Sequence, residues 1–147
     1  MDEFVVADTS VISRLTKASE HSRAYDAMIG DRRLAISFQT PAELQSAQFS
    51  ASRQRRIDDL LSATLKLPHA ESTDVWYGRV ASRRKDLRKL QQPGGDASDA
   101  DMWIIGSALE WGLPLISHDR KQVRLGRAMG LRVLTNLPEL RGDNPAL

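Results

Sequence analysis

Four acidic residues stand where an α/β protein could use them for chemistry. Three of them follow a short apolar run of the chain, namely Asp8, Glu43 and Asp119. Such runs predict strands, and in parallel sheets ligands bind beyond the carboxyl ends of the strands. If these strands are neighbours, the three carboxylates share one rim of the sheet.

The fourth acidic residue, Asp101, lies in a segment whose pattern predicts a helix over residues 98–111. At about 100° per residue, Ile105 and Leu109 fall within about 80° of Asp101, which places the carboxylate on the apolar face. An ionised carboxylate there is costly unless it is paired, hydrogen-bonded or bound to a metal ion. The alternative is a capping box with Ser98 as the N-cap.

The other three acids also have purely structural interpretations. Asp8 and Asp119 are each a favoured N-cap residue for the helix predicted to follow them. Glu43 fits a capping box with Thr40, because a Thr followed by Glu three residues later is typical of helix starts. None of the three therefore indicates chemistry when it is taken alone.

Taken together, Asp8, Glu43, Asp101 and Asp119 form a predicted cluster whose motifs contain no neutralising cation. Such carboxylates either have raised pKa values or bind a hard cation and stay ionised. The chain has no cysteine, so thiolate metal sites are excluded. Oxygen-only ligation favours Mg²⁺ or Mn²⁺, and this predicts metal-assisted phosphodiester hydrolysis.

The elements that must position these acids alternate along the chain. Apolar runs predict about four strands, at residues 4–7, 34–38, 113–117 and 131–134. Helix start signals stand at residues 8 and 40. Helical patterns cover about 53–65, 73–90, 98–111 and 119–129. This alternation predicts an α/β fold with a parallel sheet and helices on both faces, in three layers, α/β/α.

Length and composition limit the class of protein. The chain has 147 residues, 41% of them apolar and 27% charged, with a formal net charge of +2. These values indicate one globular domain over 1–147 and exclude disorder. We expect no membrane span and no signal peptide, because the first apolar run has only four residues. The absence of cysteine suits a cytoplasmic protein.

The four acids lie in three longer segments. The first runs from Val5 through Asp8, Thr9 and Ser10 to Ile12, and the second from Ile36 to Leu44 carries Glu43. The third and longest runs from Asp101 to Asp119. These three segments resemble the PIN-domain endoribonucleases, and more narrowly the VapC-type toxins of bacterial toxin–antitoxin pairs. The aromatic residue often found shortly after the last acid is absent, and Gln122 and Val123 stand there instead.

The resemblance implies a function and a set of site residues. Asp8, Glu43, Asp101 and Asp119 match the acidic quartet that coordinates Mg²⁺ or Mn²⁺, and the Thr9 or Ser10 hydroxyl assists. The expected substrate is RNA. The expected partners are a cognate antitoxin and a second copy of the chain in a homodimer. The expected PIN-like core covers about 3–137, with a tail over about 138–147.

Two further features bear on partners. Six of the eleven residues from 79 to 89 are basic, and we expect four of them to contact RNA phosphates, namely Arg79, Arg83, Arg84 and Arg88. A solvated helix face is the alternative. A second, weaker candidate consists of Arg53, Arg55 and Arg56, and Trp103 is expected either in a subunit contact or in local packing.

The sequence is also compatible with three other functions. A housekeeping PIN nuclease has the same motifs as a toxin. A phosphohydrolase with an aspartate nucleophile also starts with a strand and Asp, but it usually has a second Asp where Ser10 stands. A non-catalytic module, either receiver-like or RNA-binding, would need no metal-dependent cleavage.

Overall fold

A computed structural model describes residues 3–142 of the chain. The strands are β1 (Phe4–Ala7), β2 (Arg33–Ile36), β3 (Leu65–Lys66), β4 (Leu115–Ile116) and β5 (Val133–Leu134). The helices are α1 (Thr9–Leu15), α2 (Glu20–Ile29), α3 (Thr40–Ser46), α4 (Ala51–Ser62), α5 (Glu71–Lys89), α6 (Asp99–Trp111) and α7 (Arg120–Ala128). A 3-10 turn covers Pro138–Leu140.

The strands form one parallel sheet in the order β3-β2-β1-β4-β5. Every pairing between neighbours is parallel, with Val6 of β1 opposite Ala35 of β2 and opposite Leu115 of β4. The predicted parallel α/β fold is therefore confirmed. The sheet has five strands within residues 3–142, not about four, because β3 is a two-residue edge strand that leaves no apolar run in the sequence.

Side chains of successive strand residues point to opposite faces of the sheet and pack in two apolar cores, one on each face. Val6 belongs to the core that includes Met102 and Ile105 of α6 and Val123 of α7. Its neighbours in β1, Val5 and Ala7, belong to the core built with α1, α2 and α4. The predicted helices on both faces are therefore confirmed, and β1 lies at the centre of both cores.

Helix α2 was not predicted from the sequence. Its start has ordinary capping chemistry, since the Ser19 hydroxyl accepts the backbone N–H of Ser22, and it ends at Gly30, whose φ is +58°. Its apolar residues are sparse, with Tyr25 and Ile29 buried, and this weak periodicity explains the omission. The other helices differ from their predicted bounds by a few residues at each end.

Part of the predicted C-terminal tail folds back on the domain. Gly142 forms an antiparallel bridge with Thr135, and the Glu139 carboxylate accepts a hydrogen bond from Arg120 of α7. Residues 143–147 of that tail lie outside the described residues, and the domain limits stay a prediction. Within residues 3–142, each helix is too short or too polar to cross a membrane.

Candidate active site

The order of the strands brings the predicted acids to one rim. Asp8 follows β1 and Asp119 comes three residues after β4, and β1 and β4 are neighbours. Glu43 lies in α3, which follows β2 on the other side of β1. Asp101 lies in the first turn of α6. The carboxyl ends of the three central strands therefore carry or face all four acids.

Asp8 is buried, and several hydrogen bonds hold its carboxylate. Only 5% of its surface is exposed. Its Oδ2 accepts hydrogen bonds from the Ser10 hydroxyl, from the Ser10 backbone N–H at 3.3 Å and from the Ser117 hydroxyl at 3.4 Å. Burial raises the pKa of Asp8, while the bonds from Ser10 and Gln122 partly offset that rise.

Asp101 serves the helix and the site with different oxygen atoms. Its Oδ2 accepts the Ser98 backbone N–H at 2.9 Å, and its own N–H donates to the Ser98 hydroxyl at 3.1 Å. This is the capping box considered as the alternative for Asp101. Its Oδ1 instead faces the rim and accepts a bond from Gln122. Burial raises the pKa of Asp101 to about 6, and the charges of Asp119 and Asp8 add to the rise.

Gln122 is a site residue that sequence reasoning did not assign. Its Nε2 donates to Oδ1 of Asp8 and to Oδ1 of Asp101, both at 3.2 Å, so one amide joins the two carboxylates. The side chain is fully buried, and its Oε1 has no hydrogen-bond partner among residues 3–142. The available signal was its place in α7 among the buried Val123, Leu125 and Gly126, where a glutamine is unusual.

The capping box predicted for Thr40 and Glu43 is wrong. Helix α3 starts with Gln39 as N-cap, and Thr40 is already helical. The Glu43 carboxylate instead accepts the hydroxyl of Thr9 at 3.0 Å, so it is tied to the start of α1. Burial raises the pKa of Glu43, and Asp8, Asp101 and Asp119 raise it further through their charges.

Asp119 caps α7 and lies next to a serine network. Its Oδ1 accepts the Gln122 backbone N–H at 3.1 Å, and its own N–H donates to the Ser117 hydroxyl at 3.1 Å. The Ser10 hydroxyl donates to Asp8 and accepts the His118 backbone N–H at 3.1 Å. Thr9 and Ser10, predicted as assisting residues, thus each hold one of the four acids.

No lysine or arginine of residues 3–142 lies within salt-bridge distance of these four carboxylates; the ion pairs of that region involve other acids. The charges of Asp8, Asp101 and Asp119 raise the pKa of Glu43, and those of Asp119 and Asp8 raise the pKa of Asp101. The cluster is therefore short of positive charge.

The donor set fits a hard divalent cation. No three His, Cys, Asp or Glu side chains in the described part of the chain are arranged so that they could hold a metal ion directly. However, Mg²⁺ is often held by only one or two carboxylates and several waters. Asp8 and Asp101 are the candidates for that arrangement, because their Oδ1 atoms both lie 3.2 Å from Gln122 Nε2 and are therefore close to each other.

The raised pKa values predict how stability depends on pH. The pKa of Asp101 is about 6 in the folded chain against 3.8 for a free aspartate. The folded state therefore binds more protons than the unfolded state between these values, and stability falls as pH rises through that window.

Relative to an Asp101→Asn variant, the metal-free wild type should gain about 1 kcal/mol in free energy of unfolding on going from pH 7 to pH 5. Urea titrations in EDTA measure this difference. A difference between the two proteins that does not change with pH would contradict the raised pKa.

Two of the four arginines predicted to contact RNA bind a neighbouring loop, and the RNA contact of all four stays a prediction. Arg84 donates to the Ala97 carbonyl at 2.9 Å and to the Asp99 carboxylate at 3.2 Å, and Arg88 donates to the Gly95 carbonyl at 2.9 Å. These two side chains hold the loop that precedes α6. Arg79 packs over the Trp76 ring, and Arg83 is exposed.

Trp103 packs locally. Its ring stacks on Tyr77 of α5 with 4.0 Å between the centroids and meets Phe38 and His69 edge-on. Of the two alternatives for this residue, the structure shows the local packing, which joins α5 and α6 beside the end of β2.

Comparison with known proteins identifies the fold. The family model of the PIN domain matches residues 5–128. VapBC-1 from nontypeable Haemophilus influenzae is similar, with 26% identity, a TM-score of 0.64 and coverage of 90% of this chain and 97% of that one. VapBC-5 from Mycobacterium tuberculosis, of the VapBC family of toxin-antitoxin systems, is 26% identical with a TM-score of 0.55, over 80% and 86%.

A third structure, VapBC2 from Rickettsia felis bound to a DNA fragment from their promoter, is 16% identical with a TM-score of 0.68, over 90% of this chain and 98% of that one. At that identity the likeness concerns the fold alone. No protein of curated function matches the sequence.

Proposed function

This chain belongs to the PIN domain family, and from that premise we propose that it is a VapC-type toxin. Its activity would be endonucleolytic hydrolysis of RNA phosphodiester bonds with Mg²⁺ or Mn²⁺, and a cognate antitoxin would hold it inactive. The similarity to VapBC-1 and to VapBC-5 supports the toxin assignment.

One observation carries the nuclease proposal. Asp8 and Asp101, from elements 93 positions apart in the chain, direct carboxylate oxygens at the same buried amide. Neither is paired with a lysine or arginine of residues 3–142. Burying two such charges side by side is costly, and a protein recovers that cost when a cation binds to both carboxylates.

In this proposal the residues of the rim have different roles in the reaction. A divalent cation would supply an activated water and would stabilise the charge on the phosphate. Asp8 and Asp101 would hold it, and the bonds from Ser10 and Ser98 fix the orientations of these two carboxylates. Glu43, whose pKa burial raises, is suited to accept a proton from the attacking water, with the Thr9 hydroxyl orienting it.

The remaining parts of the proposal concern partners. We propose a homodimer and a cytoplasmic location, as the resemblance to VapC-type toxins implies. Exposed apolar residues on α5 and α6, Val75 at 55% and Trp111 at 50% exposure, are consistent with a further protein contact. A monomer by light scattering at micromolar concentration would contradict the dimer.

A direct assay tests the nuclease. Purified chain free of antitoxin, incubated with a mixed pool of cellular RNA, should cleave it with Mn²⁺ or Mg²⁺ and not with EDTA. The Asp8→Asn variant, purified in the same way, controls for contaminating nucleases and should be inactive. Absence of metal-dependent cleavage of every RNA in the pool would favour the non-catalytic RNA-binding module.

A further inference from the structure

A basic pocket lies beside the acidic rim. Its volume is about 320 Å³. It is lined by residues of α1, of the segment after α1, of the first turn of α2 and of the first turn of α4, and these are Ser13, Arg14, Lys17, Ser19, His21 and Arg53. Three of the six carry a permanent positive charge, and none is an acid.

The positive charge of this pocket is not neutralised by ion pairs. Within residues 3–142, no carboxylate lies within salt-bridge distance of Arg14, Lys17 or Arg53. Arg14 donates to the Ser10 carbonyl at 3.1 Å, and Arg53 donates to the Ser13 carbonyl and hydroxyl, both at 2.7 Å. All three acceptors are neutral, so the pocket keeps its charge and attracts anions.

Contacts with Phe49 and Ser13 hold Arg53 in place, but one of its hydrogen-bond donors has no partner among the described residues. Its guanidinium carbon lies 4.8 Å from the centroid of the Phe49 ring, and its two bonds to Ser13 fix it against α1. Its Nε is buried and has no hydrogen-bond partner among the described residues. What Arg53 adds to the pocket is a positive charge held in place by these contacts, and this suits an anionic ligand.

The pocket adjoins the acidic rim through two contacts. The side chain of Arg14 reaches back along α1 to Ser10, whose hydroxyl holds Asp8. The His21 ring lies 4.7 Å from the ring of His118, the residue before Asp119. Along α1, Arg14 is about 9 Å from Asp8, which is close enough for one polynucleotide chain to reach both.

We propose that this pocket binds a backbone phosphate of the RNA beside the bond that is cleaved. This inference rests on the proposed nuclease function. Phosphate matches the pocket because arginine forks bind its oxygens in pairs and lysine supplies a point charge. The predicted stripe on α5 is a poorer candidate, since Arg84 and Arg88 already bind the loop before α6.

A charge-neutral double variant tests the pocket. Arg14→Gln with Lys17→Gln removes two charges and leaves Arg53 in place. The matched control, Arg23→Gln with Arg33→Gln, removes two exposed charges from α2 and from the start of β2, both outside the pocket. The probe is a fluorescent single-stranded RNA of mixed sequence, and anisotropy is measured in EDTA over a series of salt concentrations. Melting temperatures verify that each protein is folded.

The pocket variant should bind RNA about tenfold more weakly, and its log affinity should fall less steeply with log salt, by about 0.7 for the one phosphate that the pocket binds. The control should keep nearly the wild-type slope. Inorganic phosphate should also shift the amide resonances of Ser13 and Ser19 in wild type and not in the pocket variant.

Equal binding and equal slope for wild type and the pocket variant would overturn the proposal, and so would an equal loss in the control. If only binding of an acidic peptide were weakened, the pocket would serve a protein partner, and the RNA proposal would be wrong. These results do not depend on cleavage: a wild type that binds RNA through the pocket but does not cut it contradicts only the nuclease.

Discussion

Asp101→Asn should abolish RNA cleavage and make the metal-free protein more stable. Removing a carboxylate that holds the cation should lower the cleavage rate about a thousandfold, which corresponds to about 4 kcal/mol of transition-state stabilisation. The same change removes a buried charge whose pKa is raised to about 6. The free energy of unfolding in EDTA at pH 7 should therefore rise by about 2 kcal/mol.

The structure explains why this variant should still fold. The asparagine carbonyl oxygen can accept the Ser98 backbone N–H as Oδ2 does now, and the backbone N–H of residue 101 still donates to Ser98. The capping box of α6 is thus retained, and stability is lost only where Gln122 must reorient.

Asp99→Asn is the matched control for Asp101→Asn. Asp99 lies in the same first turn of α6, but it is exposed and paired with Arg84 at 3.2 Å. The control changes the same charge and should leave cleavage within about twofold of wild type, with a small loss of stability. Equal loss of cleavage in both variants would show that net charge matters and that Asp101 has no special role.

Gln122→Glu should strongly destabilise the metal-free protein. It places a third carboxylate between Asp8 and Asp101, where the present amide donates 3.2 Å bonds to both. An uncompensated buried charge costs about 3–5 kcal/mol. The deficit at pH 7 should shrink at pH 5, because a protonated glutamic acid can again donate a hydrogen bond to one of its neighbours.

Gln122→Leu separates the effect of the added charge from the effect of the lost hydrogen bonds. It removes the two donor bonds without adding a carboxylate and should cost about 2 kcal/mol, with a weaker dependence on pH. Urea titrations of both variants in EDTA at the two pH values provide the measurement. If Gln122→Glu were as stable as wild type at pH 7, the two carboxylates would not be coupled through this amide as described.

The positions of the acids could be predicted because the rules that place them are local. Asp8 and Asp119 follow strands, and strand ends in a parallel sheet meet at one edge. Asp101 was marked by its place on an apolar helix face, which is where the structure has it buried. The capping and functional interpretations of Asp101 turned out to be compatible, since its two oxygens have different partners.

The hydrogen-bond partners of the other side chains could not be predicted, because they come from elements distant in the sequence. Glu43 has the spacing of a capping box, but the hydroxyl of Thr9, 34 positions earlier, binds it instead. Arg84 and Arg88 form a basic stripe in sequence, yet the carbonyls of a later loop accept their hydrogen bonds. Gln122 could be located on its helix but not linked to two carboxylates from other elements.

Metal-dependent melting of the metal-free chain tests the central claim most directly, because it needs no knowledge of the RNA target. A ligand that binds only the folded state adds about 2.7 kcal/mol at a hundredfold excess over its Kd. Mn²⁺ should raise the melting temperature of the wild type, whereas Asp8→Asn should melt higher than wild type without metal and respond much less to it. If both proteins ignored millimolar Mn²⁺ and Mg²⁺ and Asp8→Asn were simply less stable, Asp8 would be only a helix cap and the proposed metal-dependent nuclease would be wrong.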